Sequence, residues 1–133
     1  MKTEIFEIDT SASQFVDVSG LAHEFCRRGG SGFLNAFVPH ATAGLALMET
    51  GSGSEGDLQD AISRLLPREG IYRHSHGSKG HGADHVLPAF LAPSLVVPVV
   101  DGAMQLGTWQ SIVFVDLNVD NPIRQLRLSF LAG

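Results

Sequence analysis

Histidine is the side chain that binds a metal as a neutral imidazole or carries a proton near neutral pH. Residues 72–85, YRHSHGSKGHGADH, hold four of the chain's six histidines: His74, His76, His81 and His85. A catalytic zinc takes three protein ligands and keeps one position open, so such a run raises the question of a metal site. If YRHSH is extended, His74 and His76 point the same way. His81 and His85 are four apart, which would put both on one face of a helix. Gly80 and Gly82 argue against a helix through His81. The spacing instead predicts a short helix that begins near Asp84 as its N-cap and runs through HVLPAFLA, with Pro88 in its first turn. His85 would then sit at the positive end of that helix, which favours the neutral imidazole a metal needs. The segment HGSKGHG lacks the GxxxxGK[ST] order of a phosphate-binding loop. The single cysteine, Cys26, excludes a cysteine-rich structural zinc site. From spacing alone the stretch is either part of a metal site or a solvated loop rich in histidine.

Other residues could share such a site. His40 ends an apolar run just before the small residues ATAG. It is either a hydrogen-bonded histidine at the core edge or a ligand presented to a cleft. Thr42 has the strand parity of His40, and Glu49 has the opposite parity, so Glu49 needs a bend at Gly44 or at the strand end to join them. In IRQLRLSF, Arg124 shares the parity of the apolar Leu126, Leu128 and Phe130. A charge pointing inward needs an anion, a carboxylate partner or a route to water.

The elements that must position these residues are legible in outline. Val18, Leu21, Ala22, Phe25 and Cys26 follow helical spacing, with Asp17 as a cap and Gly29-Gly30 as a stop. That stripe makes Cys26 a buried thiol. Leu58, Ala61, Ile62, Leu65 and Leu66 repeat the spacing, with Ser54 and Asp57 as a capping box and Pro67 beyond the end. EIFEI, SLVVPVV, SIVFVDLN and IRQLRLSFL are expected strands, DGAMQLG a hairpin region, and SGFLNAFVPHATAGLALMET two strands around His40 or one bent strand. Early helices and late strands predict an α+β fold: one domain over 1–133, with mixed or antiparallel sheets, two main helices and a short third. Length, 44% hydrophobic and 17% charged residues are those of a globular domain. The net charge of −5 lies in the first half. With no basic patch, one tryptophan and one tyrosine, nucleic-acid binding is not expected. No apolar run reaches the roughly 20 residues of a membrane span, and no leader is evident. A cytoplasmic location is the default.

The ordered set HATAGLALMET, YRHSHGSKGHGADH, LVVPVVDGAMQLGTWQSI and IRQLRLSF resembles the YjbQ-like family, often labelled secondary thiamine-phosphate synthase. The likeness covers about residues 33–131, and LGTWQ is its most specific piece. It implies an α+β protein that assembles as a homotrimer and binds a divalent ion, zinc, through His40, His74 and His85. It further implies Glu49 and Arg124 as catalytic residues, and Thr42, Gln110 and Arg124 as contacts to a small phosphorylated substrate. His76 and His81 fall at positions the family leaves variable, which makes them solvated loop residues here. Met48 departs from the asparagine common before the glutamate. The implied reaction joins a hydroxymethylpyrimidine diphosphate to a thiazole phosphate with loss of pyrophosphate. Hydrolysis of a phosphate ester, or metal and phosphometabolite binding without turnover, suits the same residues. Trp109 is expected in the core.

Overall fold

The computed structural model describes residues 1–133. Eight strands and three helices follow in the order β1 (Lys2–Asp9), β2 (Phe15–Asp17), α1 (Ser19–Cys26), β3 (Gly32–Phe37), β4 (Gly44–Met48), α2 (Ser54–Leu65), α3 (His81–Val86), β5 (Ser94–Val100), β6 (Ala103–Met104), β7 (Ser111–Val115) and β8 (Ile123–Ala132). The strands form a five-stranded sheet, β1-β8-β3-β5-β6, and a three-stranded sheet, β2-β7-β4. Every pairing is antiparallel. The chain is thus a single compact α+β domain, as the order of elements implied.

Alternation explains the larger sheet. In β8, Arg124, Leu126, Leu128 and Phe130 are buried while Ile123, Gln125, Arg127 and Leu131 face outward. β3 and β5 alternate in step, burying Leu34, Ala36, Val97 and Val99. β5 is apolar on both faces, yet only one is covered: Val96 and Val100 are exposed. Asp101 and Gly102, both at positive φ, turn β5 back into β6, the geometry a two-residue hairpin favours. β7 lies between two cores. Ile112 and Phe114 join the main core of α1 and the larger sheet. Val113 and Val115 meet Ile62, Leu66, Ala83 and Leu87 in a second core under α2 and α3.

The helices depart from expectation at their starts. Asp17 does accept the Ser19 N–H, at 2.9 Å, although Val18 is the boundary residue of α1. α2 has no side-chain cap; Gly53, at φ 96°, precedes it, and Ser54 is its first residue. Ala61 and Leu65 of its expected stripe face solvent. The run around His40 forms two strands, β3 and β4, in different sheets. Cys26 is fully buried, and burial raises its thiol pKa against a smaller opposing effect of Lys2. Trp109, expected in the core, is instead 74% exposed: it stands in the turn that the Gln110 N–H closes onto the Gly107 carbonyl before β7 begins. No helix is long and apolar enough to cross a membrane.

Candidate metal centre

The segment before α3 and α3 itself bring the histidines together, and glycine makes this possible. Gly80, at φ 85°, stands immediately before α3 in the left-handed conformation. That lets the helix begin at His81, not near Asp84. A side chain at Gly82 would come within 2.6 Å of Tyr72 Cβ and 2.8 Å of the His74 carbonyl oxygen. Its absence lets residues 72–74 lie directly on α3. The two glycines that argued against a helix through His81 are therefore what build the site.

His81 and His85, one helical turn apart, face each other with Nε2 atoms 3.1 Å apart. His74 lies over them, its ring centre 4.4 Å from that of His85 and 5.0 Å from that of His81. Each of these three histidines offers a nitrogen within 4.8 Å of the others. The His76 ring lies against that of His74, with centres 4.1 Å apart and planes tilted by 46°. Burial holds the His74 pKa below the usual histidine value, reinforced by His76, His85 and His81. His85 is lowered by burial, then by His81 and His76, with Asp84 opposing. These are conditions for neutral imidazoles.

The residues fit a divalent ion. Two nitrogens each about 2.05 Å from a tetrahedral zinc stand about 3.3 Å apart, close to the His81–His85 spacing. His74 Nδ1 is buried with no hydrogen-bond partner. An unpaired buried nitrogen is costly unless something occupies its lone pair or takes its proton. Beside the histidines opens a cavity of about 470 Å³, lined by Tyr72, His74, His76 and His81 together with Arg68 and Lys79. Tyr72 Oη is also buried and unpartnered, and burial raises its pKa, with smaller opposing and reinforcing effects of Arg68 and Asp84. The phenol is a protonated donor without an acceptor.

Asp84 anchors α3 and is no cap. Its carboxylate, 1% exposed, accepts from Arg68 Nη1 at 2.7 Å and Nη2 at 3.0 Å and from Asn118 Nδ2 at 2.9 Å. Lys79 pairs with Glu69. The cavity's two cations are thus both offset by carboxylates.

The remaining expected site residues lie elsewhere. His40 is not among the clustered histidines: its Nε2 accepts the Gln125 backbone N–H at 2.9 Å. Burial, then Arg124, lowers the His40 pKa, and Asp116 opposes. Arg124, 3% exposed, donates through Nε and Nη2 to Asp116 at 2.7 and 3.0 Å, and through Nη2 to Thr42 at 2.8 Å. The inward charge has a carboxylate partner. Glu49, just past β4, neither bonds to these groups nor lines the cavity. Gln110 Oε1 accepts the Gly107 N–H at 2.8 Å. The structure therefore brings His74 and His85 together with His81, whereas His40, Thr42 and Arg124 form a second cluster around Asp116. The signal for His81 was its spacing of four from His85, with Gly80 able to start a helix. The alternation Asp116, Asn118, Asp120 was a further signal, since these residues tie the two clusters together.

A family model described as UPF0047 protein YjbQ-like matches residues 3–133. A UPF0047 protein of Mycobacterium tuberculosis is 57% identical over 133 residues, covering 100% of both chains. One from Methanothermobacter thermautotrophicus is 32% identical, covering 96% of this chain and 82% of its own. Among solved structures, a hypothetical protein from Aeropyrum pernix matches with a TM-score of 0.89 at 31% identity, covering 100% of both chains. A YbjQ-like protein of unknown function from Sulfolobus solfataricus matches with a TM-score of 0.90 at 23% identity, covering 99% of this chain and 97% of its own.

Proposed function

The chain belongs to the UPF0047 YjbQ-like family, and from its histidine cluster we propose that it is a cytoplasmic, metal-dependent enzyme acting on a small phosphorylated metabolite. The observation that carries this reading is the convergence of His74, His81 and His85 beside an open polar cavity, with His74 Nδ1 buried and unpaired. These three would hold a divalent ion, and three imidazoles suit zinc. When bound, zinc supplies Lewis acidity toward a phosphoryl oxygen.

The chain's own groups do the rest. Tyr72 Oη, buried and without an acceptor, donates to an oxygen of the ligand. His76, exposed and lying against His74, stands where a proton can pass between the site and solvent. Arg68 and Lys79 lend polarity to the walls, each beside a carboxylate. The transfer implied by the family label, forming thiamine phosphate with release of pyrophosphate, belongs to this substrate class, as does hydrolysis of a phosphate ester.

One observation favours a second reading, binding without turnover. The carboxylates around the cluster are all engaged: Asp84 with Arg68, Glu69 with Lys79 and Asp120 with His81. A free general base is not among them. A homotrimer is part of both readings, supported by the apolar outer face of the larger sheet, where Ile5, Phe33, Val96, Val100 and Leu131 are exposed. Zinc-loaded protein screened against phosphorylated metabolites tests the proposal. Turnover that disappears in His85→Ala supports it. Saturable binding with no product from any substrate supports the second reading.

A further inference from the structure

Asp120 lies on the loop between β7 and β8, with its side chain 39% exposed. Its Oδ2 stands 3.0 Å from Nδ1 of His81. The carboxylate is itself placed: Ser78 N–H donates to Oδ2 at 3.3 Å, and Asn118 Oδ1 accepts the Asp120 backbone N–H at 3.0 Å. An ionised carboxylate only accepts, so Nδ1 of His81 must carry the proton. A neutral ring protonated at Nδ1 presents a bare Nε2 lone pair, and that Nε2 is the atom facing His85. Asn118 Nδ2 also stands 3.1 Å from this Nδ1 and gives one of its two hydrogens to Asp84; the other could serve only a bare Nδ1, which would leave the Asp120 carboxylate facing a lone pair with no proton between them.

We infer that Asp120 is a positioning residue for the metal centre: it fixes the His81 tautomer and ring orientation so that Nε2 is the ligand atom. The inference rests on the metal reading above. A carboxylate behind a ligating imidazole sets its orientation and raises its basicity, and loss of such a partner typically costs roughly 10- to 100-fold in metal affinity.

The test uses the full chain and zinc ion, with affinity read by competition against a chromophoric chelator. Asp120→Ala is expected to weaken zinc binding roughly 10- to 100-fold. Asp120→Asn, which keeps an acceptor but loses the charge, is expected to weaken it less, and Asp120→Glu to recover part of the loss. A merely structural role would not change the ring tautomer. A long-range proton–nitrogen correlation spectrum of metal-free protein, with His81 assigned by comparison with His81→Gln, should therefore show a bare Nε2 in wild type. That preference should be lost in Asp120→Ala. Variants that bind zinc as tightly as wild type overturn the inference while leaving the metal reading intact, and so does a wild-type His81 protonated at Nε2. A wild type that binds no zinc overturns both.

Discussion

Asp116→Ala removes the carboxylate on which the second cluster depends. Asp116 is 0% exposed and accepts from Arg124 Nε and Nη2, from Thr10 Oγ1 at 2.7 Å and from the Asn118 backbone N–H at 3.0 Å. Thr10 keeps a second acceptor, the Pro122 carbonyl, so its loss is small. Arg124 keeps only the Thr42 hydroxyl. Stranding one member of a buried pair costs about 3–5 kcal/mol. For a chain of this length each kcal/mol moves the melting temperature by about 3–5 °C, so a fall of about 9–25 °C is expected. Arg124→Met in the same chain removes the stranded charge. Replacing a buried pair with apolar groups is often close to neutral, so the double variant should recover to within about 2 kcal/mol of wild type. On metal-free protein at neutral pH, urea denaturation gives the free energies and a thermal scan gives the melting temperatures. A single-variant cost below about 1 kcal/mol, or two costs that simply add, would refute the claim that Asp116 neutralises a buried Arg124.

Elemental analysis should find about one zinc per chain in wild type and much less in His74→Ala, His81→Ala or His85→Ala, whereas His40→Ala should keep its metal; loss in His40→Ala alone would move the site to the other cluster. Gly82→Ala should weaken zinc binding, because the new methyl meets Tyr72 Cβ and the His74 carbonyl, and unchanged affinity by chelator competition would contradict that packing. The His40 pKa is lowered on folding, so the unfolded chain binds more protons in the window just below the ordinary value of 6.5. Metal-free stability should therefore fall as pH drops below about 6.5, and His40→Gln should lessen that slope in urea titrations at several pH values, the remainder coming from His74 and His85, which folding lowers too. Phe33→Glu, on the exposed outer face of the larger sheet, should shift a wild-type trimer to monomer by light scattering; a monomeric wild type would end the trimer proposal.

The larger sheet was legible because β3, β5 and β8 alternate against one core. The parity of Leu126, Leu128 and Phe130 already placed Arg124 inward, and the structure supplies the carboxylate partner that such a charge needs. Periodicity failed where the environment is not one-sided. β7 is buried on both faces, so its sequence carries no alternation to read. The outward apolar residues of β5 looked like those of a strand covered on both sides, yet that face is exposed in the single chain. Trp109 was misplaced by hydrophobicity alone, since a large ring carries no period when it stands by itself in a turn.

The site was half legible for a different reason. Helix propensity counts Gly80 and Gly82 as breakers, but propensity says nothing about what must approach the backbone. At Gly80 a positive φ starts the helix, and at Gly82 a missing side chain admits Tyr72 and the His74 backbone. Tertiary packing thus converts two unfavourable residues into the hinge on which His81 turns inward. The resemblance placed His40, Thr42 and Arg124 in one cleft with His74 and His85, and the single chain holds them as two clusters. What joins these is the segment after β7. Asp116 binds Arg124 and the Asn118 N–H; Asn118 binds Asp84 and the Asp120 N–H; Asp120 binds His81. Three polar residues at alternate positions thus carry a continuous path of hydrogen bonds from the buried arginine to a candidate ligand. A disturbance at Asp116 should therefore reach zinc affinity as well as stability. Asp116→Ala measured below its melting temperature should bind zinc more weakly than wild type, although Asp116 touches none of the three histidines.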